Sequence, residues 1–79
     1  PQALVNAKVP NHKKESYMEY TEIAEAIEAL ESKFAGEGRV LIRPSGTEPL
    51  VRVMIEGKNQ GAIEEEATKL AELIEKVML

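Results

Sequence analysis

The sequence predicts a two-layer α+β sandwich in which two helices cover one face of a small, largely antiparallel sheet. Two stretches place apolar residues at helical spacing, so each helix needs a surface to cover. Three shorter stretches either alternate apolar and polar residues or consist mainly of β-branched and aliphatic residues, as strands do. The predicted order is β-α-β-β-α, and a length of 79 residues corresponds to one domain.

The first predicted strand covers residues 3–9, where the side chains alternate between two faces. Its apolar face comprises Ala3, Val5, Ala7 and Val9. Pro10 ends the strand, and residues 10–16, with the sequence PNHKKES, are predicted to form a polar loop. We expect Lys13 and Lys14 in this loop to be solvated.

The first predicted helix runs from Met18 to Ala35. Its glutamates face solvent, and its apolar positions recur every three or four residues, at Tyr20, Ile23, Ala24, Ile27, Leu30 and Phe34. Gly36 is well placed as the C′ residue, because helices often end on a glycine in the left-handed conformation. Tyr17 and Tyr20 are expected to pack at the sheet edge or at the start of this helix.

The second half of the chain is predicted to contain two strands and a helix. The strands are Val40–Arg43 and Leu50–Glu56, where β-branched and aliphatic residues predominate. Asn59 is a suitable N-cap for a final helix over residues 60–78. The predicted buried stripe of this helix consists of Ile63, Ala67, Leu70, Ile74 and Val77.

The charge of the chain is unevenly distributed. The net charge is −4, but the segment from Arg39 to Lys58 contains four basic and two acidic residues, a balance of +2, which leaves −6 for the remainder. An acidic body is a poor general binder of nucleic acid, because affinity for the phosphate backbone needs many cations. A local surplus of two positive charges is suited to holding one small anion.

The composition also disfavours several other kinds of site. All fourteen acidic residues are glutamate, which argues against magnesium or calcium loops built on clustered aspartate. The absence of cysteine excludes disulfides and thiolate metal sites. No run approaches the about 20 apolar residues of a membrane helix, and no signal-peptide pattern is present. We therefore expect a cytoplasmic protein with no membrane partner.

The connection between the last two strands, residues 43–49 with the sequence RPSGTEP, is longer than the two-residue turn that would join them. Pro44 and Pro49 stiffen its ends, and Gly46 can adopt backbone angles that other residues avoid. Together these residues can direct several N–H groups towards one concavity that binds an anion. The loop lacks the GxxxxGK[ST] pattern of nucleotide-binding P-loops.

Three side chains of this loop are suited to phosphate. Ser45 and Thr47 supply hydroxyl donors, and Arg43 supplies a planar guanidinium that can bind two phosphate oxygens at once. Proline, serine, glycine and threonine are also ordinary turn residues. Composition alone therefore favours a plain hairpin connection over an anion site.

Residues 38–57, GRVLIRPSGTEPLVRVMIEG, closely resemble the phosphate-binding segment of the α-D-phosphohexomutase superfamily. The likeness continues in the opening PQALVNAKV, in the acidic helix that ends in GEGRV and in the final helix, so it covers essentially the whole chain. The SGT form of the loop is most similar to the branch that acts on glucosamine phosphates. Relatives that act on glucose or mannose phosphates often have asparagine at the position of Gly46.

The resemblance implies that residues 1–79 are the C-terminal, fourth domain of a larger isomerase, with a TATA-box-binding-protein-like fold. Such an enzyme interconverts glucosamine 6-phosphate and glucosamine 1-phosphate through a phosphoserine and a bisphosphorylated sugar. The resemblance further implies that Arg43, Ser45, Gly46 and Thr47 bind the phosphate of a phosphorylated hexosamine substrate.

The resemblance places the reacting groups outside this chain. The phosphoserine loop of the superfamily reads like TASHNP and has no counterpart here, and its Mg²⁺ is held by an aspartate cluster in another domain. We therefore expect no catalytic residue, no metal ligand and no activity in the isolated chain, whose partners are the substrate and the missing domains of the same enzyme. Glu48 and Arg52 are expected to support the site, with Glu48 orienting Arg43 or Arg52 through an ion pair.

Three alternatives remain open at this point. The first is the same domain from a phosphoglucomutase or phosphomannomutase relative. The second is a regulatory module of similar architecture that binds a small metabolite and has an apolar dimer interface. The third is a module that binds single-stranded nucleic acid, which the acidic charge and the lack of aromatic residues on the strands disfavour, since such proteins stack bases on aromatic side chains.

Overall fold

A computed structural model describes all 79 residues as a three-stranded sheet with two helices on one face. The elements are β1 (Gln2–Lys8), α1 (Thr21–Lys33), β2 (Arg39–Pro44), β3 (Leu50–Glu56) and α2 (Gln60–Met78). The strand order is β1-β3-β2, and both outer strands are antiparallel to the central β3. The predicted fold class and the predicted β-α-β-β-α order are confirmed. None of the helices combines the length and the apolar character needed to cross a membrane.

One hydrophobic core joins the inner face of the sheet to both helices. Helix α2 packs on β1 and β3, whereas α1 packs on β2 and on α2. The core consists of Ala3, Ala7, Val9, Val40, Val51, Val53 and Ile55 from the sheet side and Ile23, Ile27, Leu30, Ile63, Ala67, Leu70, Ala71, Ile74 and Met78 from the helices. The opposite face of the sheet has no helix over it and is referred to below as the open face.

Helix α2 has the predicted limits and the predicted N-cap. The Oδ1 atom of Asn59 accepts a hydrogen bond of 2.9 Å from the N–H of Ala62, one of the free donors of the first turn. The buried stripe follows the prediction as far as Ile74. In the last turn, however, Met78 is buried and Val77 is only half-buried, because the stripe drifts around the helix axis.

Replacement of this N-cap is expected to weaken the fold measurably. In Asn59→Ala the Ala62 N–H loses its partner, so the free energy of unfolding should fall by about 1 kcal/mol. Urea denaturation followed by circular dichroism measures the change. Lys58→Ala is the control, because Lys58 is exposed and makes no hydrogen bond, and equal effects of the two substitutions would contradict the capping role.

The segment before α1 differs from the prediction. Residues Lys14–Glu19 form a 3₁₀ helix, and α1 begins three residues after Met18, because Tyr20 has an extended backbone with φ −89° and ψ 115°. The hydroxyl of Tyr17 donates a 3.0 Å hydrogen bond to the carbonyl of Ile42 in the edge strand β2. This contact confirms the expected packing of Tyr17 at the sheet edge and holds the 3₁₀ helix against the sheet.

The turn between α1 and β2 depends on two glycines. Helix α1 ends at Lys33, and Gly36 is left-handed, with φ +81°. It lies two residues beyond the C-cap Phe34, one residue further than predicted. At Gly38 an added Cβ atom would lie 1.9 Å from the carbonyl oxygen of Glu56, so only glycine lets the chain enter β2 this close to the end of β3.

Candidate anion-binding site

The RPSGTEP loop joins the edge strand β2 to the central strand β3. The N–H of Ser45 donates a 2.9 Å hydrogen bond to the carbonyl of Leu50, which closes the loop at its base. The carbonyl of Pro49 accepts a 3.1 Å hydrogen bond from the N–H of Val9, just beyond β1. The loop is thus fastened at its base and, at its far end, to a second segment of the chain.

Ser45 organises the inside of the loop. It is 7% exposed, and its Oγ atom accepts hydrogen bonds from the N–H groups of Thr47 at 3.4 Å and Glu48 at 3.1 Å. A serine hydroxyl has one donor and two acceptor positions. Both bonds use acceptor positions, so the hydroxyl proton has no partner within the chain.

The loop differs from the expected anion nest at two points. Gly46 is not in the left-handed region, and an added Cβ atom there would meet nothing within 4 Å. Two of the N–H groups expected to face the anion are instead bound to Ser45. Three donors remain without partners, namely the N–H of Gly46 and the hydroxyls of Ser45 and the exposed Thr47.

Arg43 lies on the open face beside the loop and makes no ion pair. Its partner across the strands is Arg52, so two positive side chains stand directly opposite one another. Like charges in this arrangement destabilise a sheet. The carboxylate of Glu48 offsets little of this repulsion. Its Oε1 lies 4.0 Å from Nη2 of Arg52, and both side chains are about half exposed.

The expected ion pair of Glu48 is therefore made with Arg52 and not with Arg43. The two arginines line a depression of about 310 Å³ on the open face. Its remaining wall is the apolar row that the strand register places next to them, consisting of Leu4, Met54 and Leu41.

One residue that contacts this loop, Lys14, was not predicted from the sequence to do so. Lys14 was expected to be solvated but is only 6% exposed, and its Nζ atom donates a 3.1 Å hydrogen bond to the carbonyl of Glu48 in the loop. A spacing of three residues places Lys14 and Tyr17 on the same side of a 3₁₀ helix, which has three residues per turn. This spacing is the one feature of the sequence that could have linked Lys14 to Tyr17. It indicates a shared face only if residues 14–19 are already known to form a 3₁₀ helix.

The family of the chain follows from comparison with known proteins. Residues 4–73 match the family described as "Phosphoglucomutase/phosphomannomutase, C-terminal domain". The chain belongs to this family. The resemblance found in the sequence is confirmed, and the loop described above lies within the region that matches this domain family.

Curated relatives support the glucosamine branch of the family. The chain is 68% identical over 74 residues to the phosphoglucosamine mutase of Clostridium botulinum (strain Eklund 17B / Type B). The aligned region covers 94% of the chain and 17% of the relative. The chain is also 64% identical over 75 residues to the phosphoglucosamine mutase of Clostridioides difficile (strain 630), covering 95% of the chain and 17% of the relative. The chain thus spans about a sixth of the length of these relatives.

Solved structures of related enzymes share the fold. One structure of Aspergillus fumigatus N-acetylphosphoglucosamine mutase has a TM-score of 0.76 and 25% identity, and covers 99% of this chain and 16% of that one. A second structure of that enzyme, in complex with GlcNAc-6P and magnesium, has a TM-score of 0.76 and 24% identity, with 100% and 16% coverage. These matches confirm the α+β architecture of the phosphohexomutase C-terminal domain.

No group of three or more histidine, cysteine, aspartate or glutamate side chains lies close enough together to hold a metal ion. The chemistry available at the loop is that of hydrogen-bond donors and guanidinium groups.

Proposed function

We propose that this chain holds the phosphate group of a phosphorylated hexosamine in an isomerase of the phosphoglucosamine mutase type. The observation that carries the proposal is the pair Arg43 and Arg52, which stand opposite each other beside a loop with unused donors. Two facing arginines destabilise a sheet by their mutual repulsion, but both attract a doubly negative phosphate. Bound phosphate would therefore offset the repulsion between them. The ligands in this proposal are Arg43, Ser45, Gly46 and Thr47, with Glu48 and Arg52 in support.

Each proposed ligand contributes a different kind of bond. Arg43 supplies a bidentate guanidinium, Ser45 and Thr47 supply hydroxyl protons, and Gly46 supplies its N–H. A hydrogen bond to a charged group stabilises a complex by about 1.5–3 kcal/mol. Because these donors recognise only the phosphate oxygens, they accept a sugar phosphorylated at either end. That property suits the interconversion of glucosamine 6-phosphate and glucosamine 1-phosphate through a bisphosphorylated sugar.

In this proposal the chain provides binding energy, and the reacting groups belong to other domains of the enzyme. The phosphoserine and the Mg²⁺ ion are assigned to those domains. A phosphate held at a fixed point positions the distant end of the sugar for reaction, and binding energy spent in this way lowers the barrier of a step that occurs elsewhere. The isolated chain is accordingly expected to bind phosphate weakly and to have no activity.

The test is a titration of the chain with inorganic phosphate and with glucosamine 6-phosphate, followed by amide chemical shifts. Both ligands are expected to shift residues 43–47 with a dissociation constant in the millimolar range, since one anion site offsets little of the entropy of association. Unphosphorylated glucosamine is the control and should cause no shifts. Shifts confined to α1 and α2, or an unchanged Gly46 signal, would refute the proposal.

A further inference from the structure

Two polar side chains are buried in this protein, and both are bound to the same loop. Ser45 and Lys14 are 7% and 6% exposed, whereas the other buried residues are hydrophobic or glycine. Ser45 belongs to the loop itself. Lys14 lies about thirty residues earlier in the chain, in the 3₁₀ helix, and reaches the loop only through the fold.

The two buried side chains hold Glu48 from both sides. Its N–H donates to Oγ of Ser45 at 3.1 Å, and its carbonyl accepts from Nζ of Lys14 at 3.1 Å and from the N–H of Leu50 at 2.8 Å. The backbone of the loop is therefore fixed at the residue that follows its free donors. Removal of the lysine would still leave the carbonyl of Glu48 one partner.

The charge of Lys14 is not balanced by any acidic side chain. It takes part in no ion pair, and its one hydrogen bond goes to a neutral carbonyl. Burial of a charge without a counter-ion disfavours folding. An anion bound at the same loop would supply the missing negative charge.

We propose that Lys14 is a positioning residue of the phosphate site, a role that depends on the proposed function of the loop. Its ammonium group fixes the carbonyl of Glu48, which keeps the N–H of Gly46 and the hydroxyl of Thr47 in place before phosphate arrives. Its positive charge adds to the attraction exerted by Arg43. Lys14 touches the loop and not the substrate.

This role predicts that Lys14→Met keeps the stability of the chain but lowers its affinity for phosphate. Methionine fills the space of the lysine stem without a charge, and the replacement of a buried charge by an apolar group is often neutral or stabilising. The resistance to urea should therefore be unchanged or higher. The affinity for inorganic phosphate should nevertheless fall about threefold to tenfold, because a fixed loop and one nearby cation are lost.

The matched control is Lys13→Met. Lys13 is the adjacent lysine and is exposed, and its side chain makes no hydrogen bond, so its substitution removes the same charge without touching the loop. The unsubstituted chain and both variants are titrated with inorganic phosphate by amide chemical shifts, and amide hydrogen exchange of residues 45–48 is measured without phosphate. Of the two variants, only Lys14→Met should bind phosphate more weakly than the unsubstituted chain and show faster amide hydrogen exchange at residues 45–48.

The outcomes separate this inference from the function on which it depends. Absence of binding by the unsubstituted chain overturns both. Normal binding by Lys14→Met, or an equal loss in Lys13→Met, overturns the role of Lys14 alone. If Lys14→Met does not fold, the side-chain ¹⁵N signal of Lys14 in the unsubstituted chain decides, because it should move on addition of phosphate and the Lys13 signal should not.

Discussion

The Arg43→Ala variant of the full-length enzyme is expected to lose about 10- to 100-fold in kcat/KM, mainly through a higher KM. The magnitude corresponds to one charge-assisted, bidentate contact with phosphate, worth about 1.5–3 kcal/mol. Stability should be unchanged or slightly higher, because Arg43 makes no ion pair and its removal relieves the repulsion with Arg52. Steady-state conversion of glucosamine 1-phosphate measures the loss, and urea denaturation of the 79-residue chain checks the stability.

Arg39→Ala is the matched control for this experiment. Arg39 lies on the same strand and the same open face, four residues before Arg43, and is exposed. Its guanidinium pairs with Glu56 at 2.6 Å, and exposed pairs of this kind contribute little. We expect its kcat/KM to stay within about twofold of the unsubstituted enzyme. Equal kinetics for both variants would show that Arg43 does not bind the substrate.

The Gly38→Ala substitution is expected to have the largest effect on stability, a loss of about 3 kcal/mol or more in the free energy of unfolding. Its methyl carbon would lie 1.9 Å from the carbonyl oxygen and 2.6 Å from the carbonyl carbon of Glu56. These are backbone atoms of the central strand and cannot move aside as a side chain would. Domains of this size have a total stability of about 4–12 kcal/mol, so the midpoint of urea unfolding should fall sharply.

Gly46→Ala provides the corresponding control. At Gly46 an added Cβ atom meets nothing within 4 Å and φ is not left-handed, so the stability should change by less than about 0.5 kcal/mol. Urea unfolding of the two variants side by side tests the difference. A Gly38→Ala chain as stable as Gly46→Ala would mean that the approach of β2 to β3 is less tight than described.

The regular elements could be predicted from the sequence because each depends on a local pattern. The alternation in β1, the apolar run of β3 and the N-cap of α2 lie within one residue of their predicted places, and the stripe of α2 follows the prediction as far as Ile74. The same holds for the location of the loop, since its prolines and glycine interrupt two strands. The family resemblance then indicates which loop residues to consider.

The remaining features depend on contacts between distant segments. The 3₁₀ helix is held by Tyr17 and Lys14, which donate hydrogen bonds to carbonyls 25 and 34 residues away. Hydrogen-bond partners so distant in the sequence cannot be predicted from a local pattern. The inward hydroxyl of Ser45 and the backbone angles of Gly46 are set by the closure of the loop. The facing pair Arg43 and Arg52 becomes visible only with the strand register.

The fastening of the loop also has a consequence for the speed of phosphate exchange. Hydrogen bonds to Leu50, Val9 and Lys14 hold the loop in the free protein, so its ordering entropy is lost during folding and not at the moment of encounter. Phosphate therefore binds to a loop that needs no rearrangement, so its association rate constant can approach the diffusional limit. At the millimolar affinity expected for the isolated chain, such fast association implies that phosphate leaves the loop within about a microsecond.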